Sequence, residues 1–232
     1  MGVPEERYSK IIGKNQREIC LLRGFPCAWG KCAFCDYIED NGRDTQAMVS
    51  LNHQVLQKVT GEFGVLEVIN SGSCFELPEE TLDEIAKVIR EKKIQKLFFE
   101  AHWMYRNHLE EMRRRMPVPI VFKICVETFD NDFRERGLNK HADFTRPEEV
   151  AEYFDSPCLM VGIKGQTREM IRYDIECLKK YFKLGTVNVY NNNTTPIRRD
   201  EELVAWFMEE YRWLLDDPSV EVLYEITDFG VG

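Results

Sequence analysis

Apolar residues recur along this chain with two periods, and the two alternate. Residues 18–23, Glu-Ile-Cys-Leu-Leu-Arg, predict a short buried strand. Asp44 then predicts an N-cap, and Met48, Leu51, Val55 and Val59 follow at helical spacing up to a stop at Gly61. A strand is predicted over 65–70, and a helix over 78–92 with Leu82, Ile85, Ala86 and Ile89 on one face. The alternation continues with a strand over 95–100, a helix over 104–115 and a strand over 119–127, whose period of two places Lys123, Cys125 and Glu127 on one face. Thr145 and Glu148 have capping-box spacing, so a helix is expected over 147–153, before a strand over 157–163. Ile171, Ile175, Leu178 and Phe182 form the stripe of another helix, followed by a strand over 185–190, a helix from Asp200 to about Leu215 and a strand over 220–225.

Strands alternating with helices of this length imply right-handed βαβ units and a parallel sheet. With seven predicted strands and no Gly/Ser-rich linker, the expectation is an α/β fold in one domain, 1–232. Its form is a partial (β/α)6-type barrel with an additional C-terminal strand.

Composition narrows the function. The formal net charge of −9 argues against a phosphate-tracking surface, so no nucleic-acid partner is expected. Arg113-Arg114-Arg115 and Lys92-Lys93 sit at C-terminal ends of helical patterns, where cations complement the macrodipole on a solvated face. No run of eighteen apolar residues occurs and the N-terminus lacks the apolar core of a secretion signal, so no membrane and a cytoplasmic location are expected.

The chemistry begins between Arg23 and Tyr37, where Cys27, Cys32 and Cys35 place three thiols within nine residues. Gly24, Pro26 and Gly30 supply the turns that let such a loop close around one metal centre. A structural zinc site wants four protein ligands, and no second close pair of cysteines exists. The other five, at 20, 74, 125, 158 and 177, are scattered singly. Cys20 or Cys74 as a remote fourth ligand would complete a four-thiolate site, whereas three thiolates on an iron-sulfur cubane would leave one iron open for substrate or cofactor. Spacing alone leaves both alternatives standing.

Cys32-Ala-Phe34-Cys35 resembles the end of the cluster loop of the radical S-adenosylmethionine (SAM) enzymes. The first two cysteines here enclose four residues where three is commonest in that family, so the loop must bulge by one. The resemblance extends to Asn70-Ser71-Gly72-Ser73 after the strand at 65–70, and to Glu127-Thr128 with the later Asn139-Lys140. It also includes Gly162-Ile163-Lys164-Gly165. It implies a [4Fe-4S] cluster on Cys27, Cys32 and Cys35, with S-adenosyl-L-methionine chelating the open iron. Ser71, Gly72 and Ser73 would hold the amino and carboxylate ends of the methionine moiety and Glu127 the ribose diol. Ile163 would pack the adenine, and Phe34 and Tyr37 offer an aromatic platform because their loop has no other core to fill. Reductive cleavage of the sulfonium bond would give a deoxyadenosyl radical that removes a hydrogen atom from substrate.

The strand ends left over carry His102, Asn191, Glu225 and Asp228, amide, imidazole and carboxylate groups suited to a small, hydrogen-bonding, purine-like base. The Asn-Ser-Gly-Ser, Glu-Thr and Asn-Lys segments look most like the deazaguanine group of radical SAM enzymes. That group includes small bacterial lyases that release 7-aminomethyl-7-deazaguanine from queuine. The expected partners are therefore a small-molecule substrate and an electron donor such as flavodoxin or ferredoxin. The rival readings are a 7-carboxy-7-deazaguanine synthase-like enzyme, an activase, and a zinc-stabilised binding module without turnover.

Overall fold

The computed structural model describes residues 6–225, 228, 230 and 231. They fall in two compact units, one of residues 6–30, 37–122, 228, 230 and 231, the other of residues 31–36 and 123–225.

The first unit carries β1 (Tyr8–Ile11), β2 (Arg17–Leu22), α1 (Thr45–Leu56), β3 (Val65–Asn70), α2 (Glu79–Glu91), β4 (Lys96–Glu100) and α3 (Leu109–Arg115), with its strands in sequence order. β2, β3 and β4 are parallel, and Leu22 lies opposite Asn70. The cysteine loop and the Ser71-Gly72-Ser73 turn therefore leave the sheet at the same level of the same edge. On α2 the stripe Leu82, Ile85, Ala86 and Ile89 is buried as its spacing requires, each large aliphatic side chain contributing about 1.5–3 kcal/mol. Asp44 caps α1 by accepting from the Ala47 N–H at 3.0 Å. The helix ends at Leu56, short of the predicted stop at Gly61. Gly61 serves a close approach instead: it has φ +80°, and a Cβ there would lie 2.1 Å from the Lys92 carbonyl oxygen.

Strand β1 is absent from the sequence-based expectation. It pairs antiparallel with β2 through a turn containing Asn15 at φ +55°. All four of its residues are only half-buried, so no apolar run announces it. Glu18 locks it in place, accepting from the Tyr8 hydroxyl at 2.5 Å and from the Thr60 and Gly61 N–H groups at 2.7 Å each. The predicted helix over 104–115 divides into a 3-10 segment, Trp103–His108, and α3. Arg113 pairs with Glu110 on its own helix and Arg115 with Glu79 and Asp83 on α2, so two of the three arginines in the run are engaged in ion pairs.

The second unit contains most of β5 (Ile120–Glu127), then α4 (Pro147–Ala151), β6 (Ser156–Val161), α5 (Arg168–Tyr181), β7 (Gly185–Val189), α6 (Glu201–Glu210) and β8 (Val220–Leu223), its strands parallel and in sequence order. β6 is buried along its whole length, as expected for a strand covered on both faces. Three expectations change here. The β5–β6 register shifts between Cys125 and Glu127, and Glu127 adopts φ +66°, so the simple alternation of faces breaks before Glu127. No capping box forms at α4: Arg146 occupies the N-cap, and the Thr145 hydroxyl bonds the Glu149 carboxylate at 3.0 Å. The helix expected to run to Leu215 stops at Glu210, and a 3-10 turn covers Arg212–Leu215. Among the described residues no helix is long and apolar enough to cross a membrane.

Candidate active site

In the first unit the site is organised by Glu76, a buried carboxylate that the sequence reading missed. It accepts from the Ala28 N–H at 3.1 Å, next to Cys27, from the Ser73 N–H, and from the Tyr105 hydroxyl at 2.9 Å. Burial raises its pKa, and these bonds offset part of that rise. One side chain thus ties the start of the cysteine loop to the serine-glycine turn. The Phe25 N–H adds a bond to the Glu76 carbonyl at 2.8 Å, and the Ser73 hydroxyl accepts from the His102 N–H at 2.8 Å. Gly72 is required by closeness: a Cβ there would lie 2.8 Å from Glu76 Oε2 and 3.5 Å from the Cys27 Cα. Asp40, also missed, receives Arg7 and Arg23, with Ser71 Oγ at 3.5 Å. Tyr37 opens the 3-10 turn that ends at Asp40 and is 51% exposed.

In the second unit the loop carries Cys32, Phe34 and Cys35. The Ala33 N–H bonds the Leu138 carbonyl at 2.9 Å, Asn139 Nδ2 donates to the Lys31 carbonyl at 2.7 Å, and the Cys35 N–H closes on Cys32 O at 3.3 Å. Phe34 is buried with Leu138, Met160, Ile163 and Tyr190, and Cys32 and Cys35 pack against this cluster. The premise that Phe34 has no core to fill is therefore corrected: it fills one, and Ile163 is in it. Lys140 Nζ lies 5.5 Å from the Phe34 ring centroid and 2.7 Å from Glu127 Oε1. Burial works against the Lys140 charge, but Glu127, with Cys125 and Cys32, outweighs it and raises the lysine pKa. Gly162 and Gly165, at φ +85° and +97°, form the turn that presents Ile163.

The residues expected to meet substrate lie at strand ends. His102 caps the 3-10 segment, its Nδ1 accepting from the Met104 N–H at 3.3 Å. Asn191 is engaged with backbone, donating to the Val189 and Tyr224 carbonyls at 3.2 and 2.9 Å and accepting from Arg199 at 2.7 Å. Glu225 and Asp228 are exposed.

No protein-family model matches the chain, and neither does any curated protein. Among solved structures, it is similar to the queuine lyase from Clostridium spiroforme bound to SAM and queuine. The two share 55% sequence identity over 98% of this chain and 99% of that one, with a TM-score of 0.96. The chain belongs to the queuine lyase family of radical SAM enzymes. It has the partial-barrel fold of that superfamily. A radical SAM methyltransferase from Sphaerobacter thermophilus shares this fold at 14% identity and a TM-score of 0.61, over 90% of this chain and 67% of the other. Streptococcus suis SuiB bound to S-adenosylmethionine shares it at 12% and 0.53, over 91% and 47%.

Membership decides between zinc and iron-sulfur in favour of the superfamily's cluster, and the thiols fit it. Cys27, Cys32 and Cys35 form no disulfide and are half-buried, on the loop that follows β2. Cys20, Cys74 and Cys177 are buried thiols whose pKa values burial raises, the last to about 11, which disfavours the thiolate a metal needs.

Proposed function

We propose that this chain cleaves queuine and releases 7-aminomethyl-7-deazaguanine, with all of 1–232 serving that reaction as one catalytic domain. The observation that carries the reading is the 55% identity and TM-score of 0.96 to a queuine lyase, over 98% of this chain and 99% of that one. Cys27, Cys32 and Cys35 would hold the [4Fe-4S] cluster. When bound, the reduced cluster and SAM supply a deoxyadenosyl radical that removes a hydrogen atom from substrate.

The chain's own groups bind and orient. Ser71, Gly72 and Ser73, fixed by Glu76, offer N–H and hydroxyl groups to the amino acid end of SAM. Glu127 is assigned to the ribose diol, its orientation set by Lys140. Phe34 and Ile163 belong to one apolar cluster and are assigned to the adenine, with Tyr37, three residues after Phe34, as a further aromatic contact. His102, Asn191, Glu225 and Asp228 are assigned to the base, a carboxylate pairing its guanine-like edge and another meeting its protonated amine. The net charge of −9 favours a cationic substrate, and a one-electron donor of the flavodoxin or ferredoxin type is the expected partner.

Equilibrium binding tests the substrate assignment without turnover. Queuine titrated into oxidised, cluster-loaded protein with SAM should bind well above guanine, and Asp228→Ala should weaken it by about 2–5 kcal/mol if that carboxylate meets the amine. Equal affinity for queuine and guanine would reject the assignment.

A further inference from the structure

The loop after β7 grips the cysteine loop through one amide. Asn193 Nδ2 donates to the Phe34 carbonyl oxygen at 2.7 Å and to Asp36 Oδ1 at 3.3 Å, the two residues that flank Cys35. The Thr194 N–H and hydroxyl add contacts to Asp36 Oδ2 at 3.3 and 3.4 Å. Asn193 Oδ1 is used separately: it accepts from the Thr195 N–H at 3.0 Å, the Thr195 hydroxyl at 2.7 Å and the Tyr190 hydroxyl at 3.2 Å.

The division of labour within this amide is informative. Its acceptor side shapes the turn that Asn193 itself belongs to, and its donor side does nothing for that turn. Both donated bonds leave for residues on either side of Cys35. Only an amide combines the two roles at this size, since a carboxylate has no hydrogens to give and a hydroxyl has one.

We infer that Asn193 is a positioning residue for Cys35 and Phe34, holding the Phe34 backbone carbonyl on one side of a cluster ligand and the Asp36 carboxylate on the other, from the loop that also carries Asn191. The inference rests on the reading of Cys35 as a cluster ligand. With the Phe34 carbonyl and the Asp36 side chain held, the direction of the thiol between them is set from the loop after β7. A disturbance of the loop after β7 is then transmitted to the cluster through two hydrogen bonds.

The test uses anaerobically reconstituted enzyme. Asn193→Asp keeps the size and the acceptor oxygen and removes both donated bonds. Iron and sulfide per chain should match the wild type. The electron paramagnetic resonance spectrum of the reduced cluster with SAM should shift, its midpoint potential should move, and kcat for SAM cleavage should fall about tenfold with KM little changed. Adding Asp36→Asn returns a donor across the same gap and should bring the spectrum back toward the wild type. If Asn193→Asp does not fold, Asn193→Ser, which brings no second carboxylate up to Asp36, is read in the same way. A wild-type spectrum and potential in the folded variant would overturn the inference. Wild-type protein that binds no iron-sulfur cluster would instead overturn the ligand reading, and this inference with it.

Discussion

Lys140 Nζ stands 2.7 Å from Glu127 Oε1, and both side chains are less than a tenth exposed. The lysine is held there by its own backbone, its N–H bonding the Arg134 carbonyl at 3.1 Å between two left-handed residues, Asn139 and His141. Arg134 is itself buried, stacked on Phe144 and bonded to the Ala142 and Phe144 carbonyls. Removing one partner of a buried pair strands the other charge, so Lys140→Met should cost about 3–5 kcal/mol in a denaturation experiment. Because the lysine's folded pKa is raised, the stabilisation is fully present below its unfolded value of about 10.4 and is lost only as pH rises beyond it. The stability difference between Lys140→Met and wild type should accordingly be flat from about pH 6 to 9. Glu127→Gln should weaken SAM binding with the cluster spectrum unchanged; unaltered SAM affinity would reduce the pair to a purely structural role.

Asp174 on α5 gives a dependence of the same sign in a lower pH window. It is fully buried, accepting from the Phe129 N–H at 2.6 Å and the Thr128 hydroxyl at 3.1 Å, while its Oδ2 finds no partner among the described residues. Burial pushes its pKa up to about 8. The folded state therefore holds the proton more tightly than the unfolded chain, whose carboxyl titrates near 3.9. The contribution to stability is full below that value and is lost as pH rises toward 8, at no more than about 1.4 kcal/mol per pH unit. Asp174→Asn keeps the acceptor oxygen and removes the ionisation, so its stability relative to wild type should grow between about pH 6 and 8. Parallel melting curves across that range would show that Asp174 does not titrate there.

Glu76 and Gly72 make a paired prediction. Glu76→Gln places an amide where two N–H donors require an acceptor, and Gly72→Ala drives a methyl into Glu76 and toward Cys27. Both should lower iron retention and SAM affinity, while Tyr105→Phe, which removes only a hydroxyl donor, should cost about 1 kcal/mol. Full iron loading and normal SAM binding in Gly72→Ala would show that this turn does not support the cluster loop.

Replacing Cys27, Cys32 or Cys35 with Ser should abolish iron binding. Cys20→Ser and Cys74→Ser should leave it nearly intact, because both thiols are buried with raised pKa values. Loss of iron in either of these two would point to a four-thiolate site without an open iron.

Most of the strands and the α2 stripe were legible because buried parallel strands and amphipathic helices write their period directly into the sequence. β1 was not, since an edge strand of half-buried Tyr8, Ser9, Lys10 and Ile11 has no such signature. The three cysteines were visible through their spacing. Glu76, Asp40 and Asn193 were not visible as organisers, because each acts on a segment distant in the chain: Glu76 reaches Ala28, Asp40 reaches Arg7, and Asn193 reaches Phe34. For Asp40 and Asn193 nothing local distinguishes the residue from an ordinary loop polar group, whereas Ser73 and Glu76 have capping-box spacing, which marks Glu76 locally but not its reach to Ala28. The bulge at Glu127 was hidden for a related reason, since a register shift is a property of two strands and the alternation was read from one.

The measurement that bears most directly on the central claim supplies reduced, cluster-loaded enzyme and SAM with free queuine, and follows both products by mass. The account predicts 5′-deoxyadenosine and 7-aminomethyl-7-deazaguanine appearing together, both absent from the Cys32→Ser variant. Deoxyadenosine without base cleavage would contradict the substrate assignment, and neither product from fully loaded enzyme with an active reductant would contradict the radical mechanism as well.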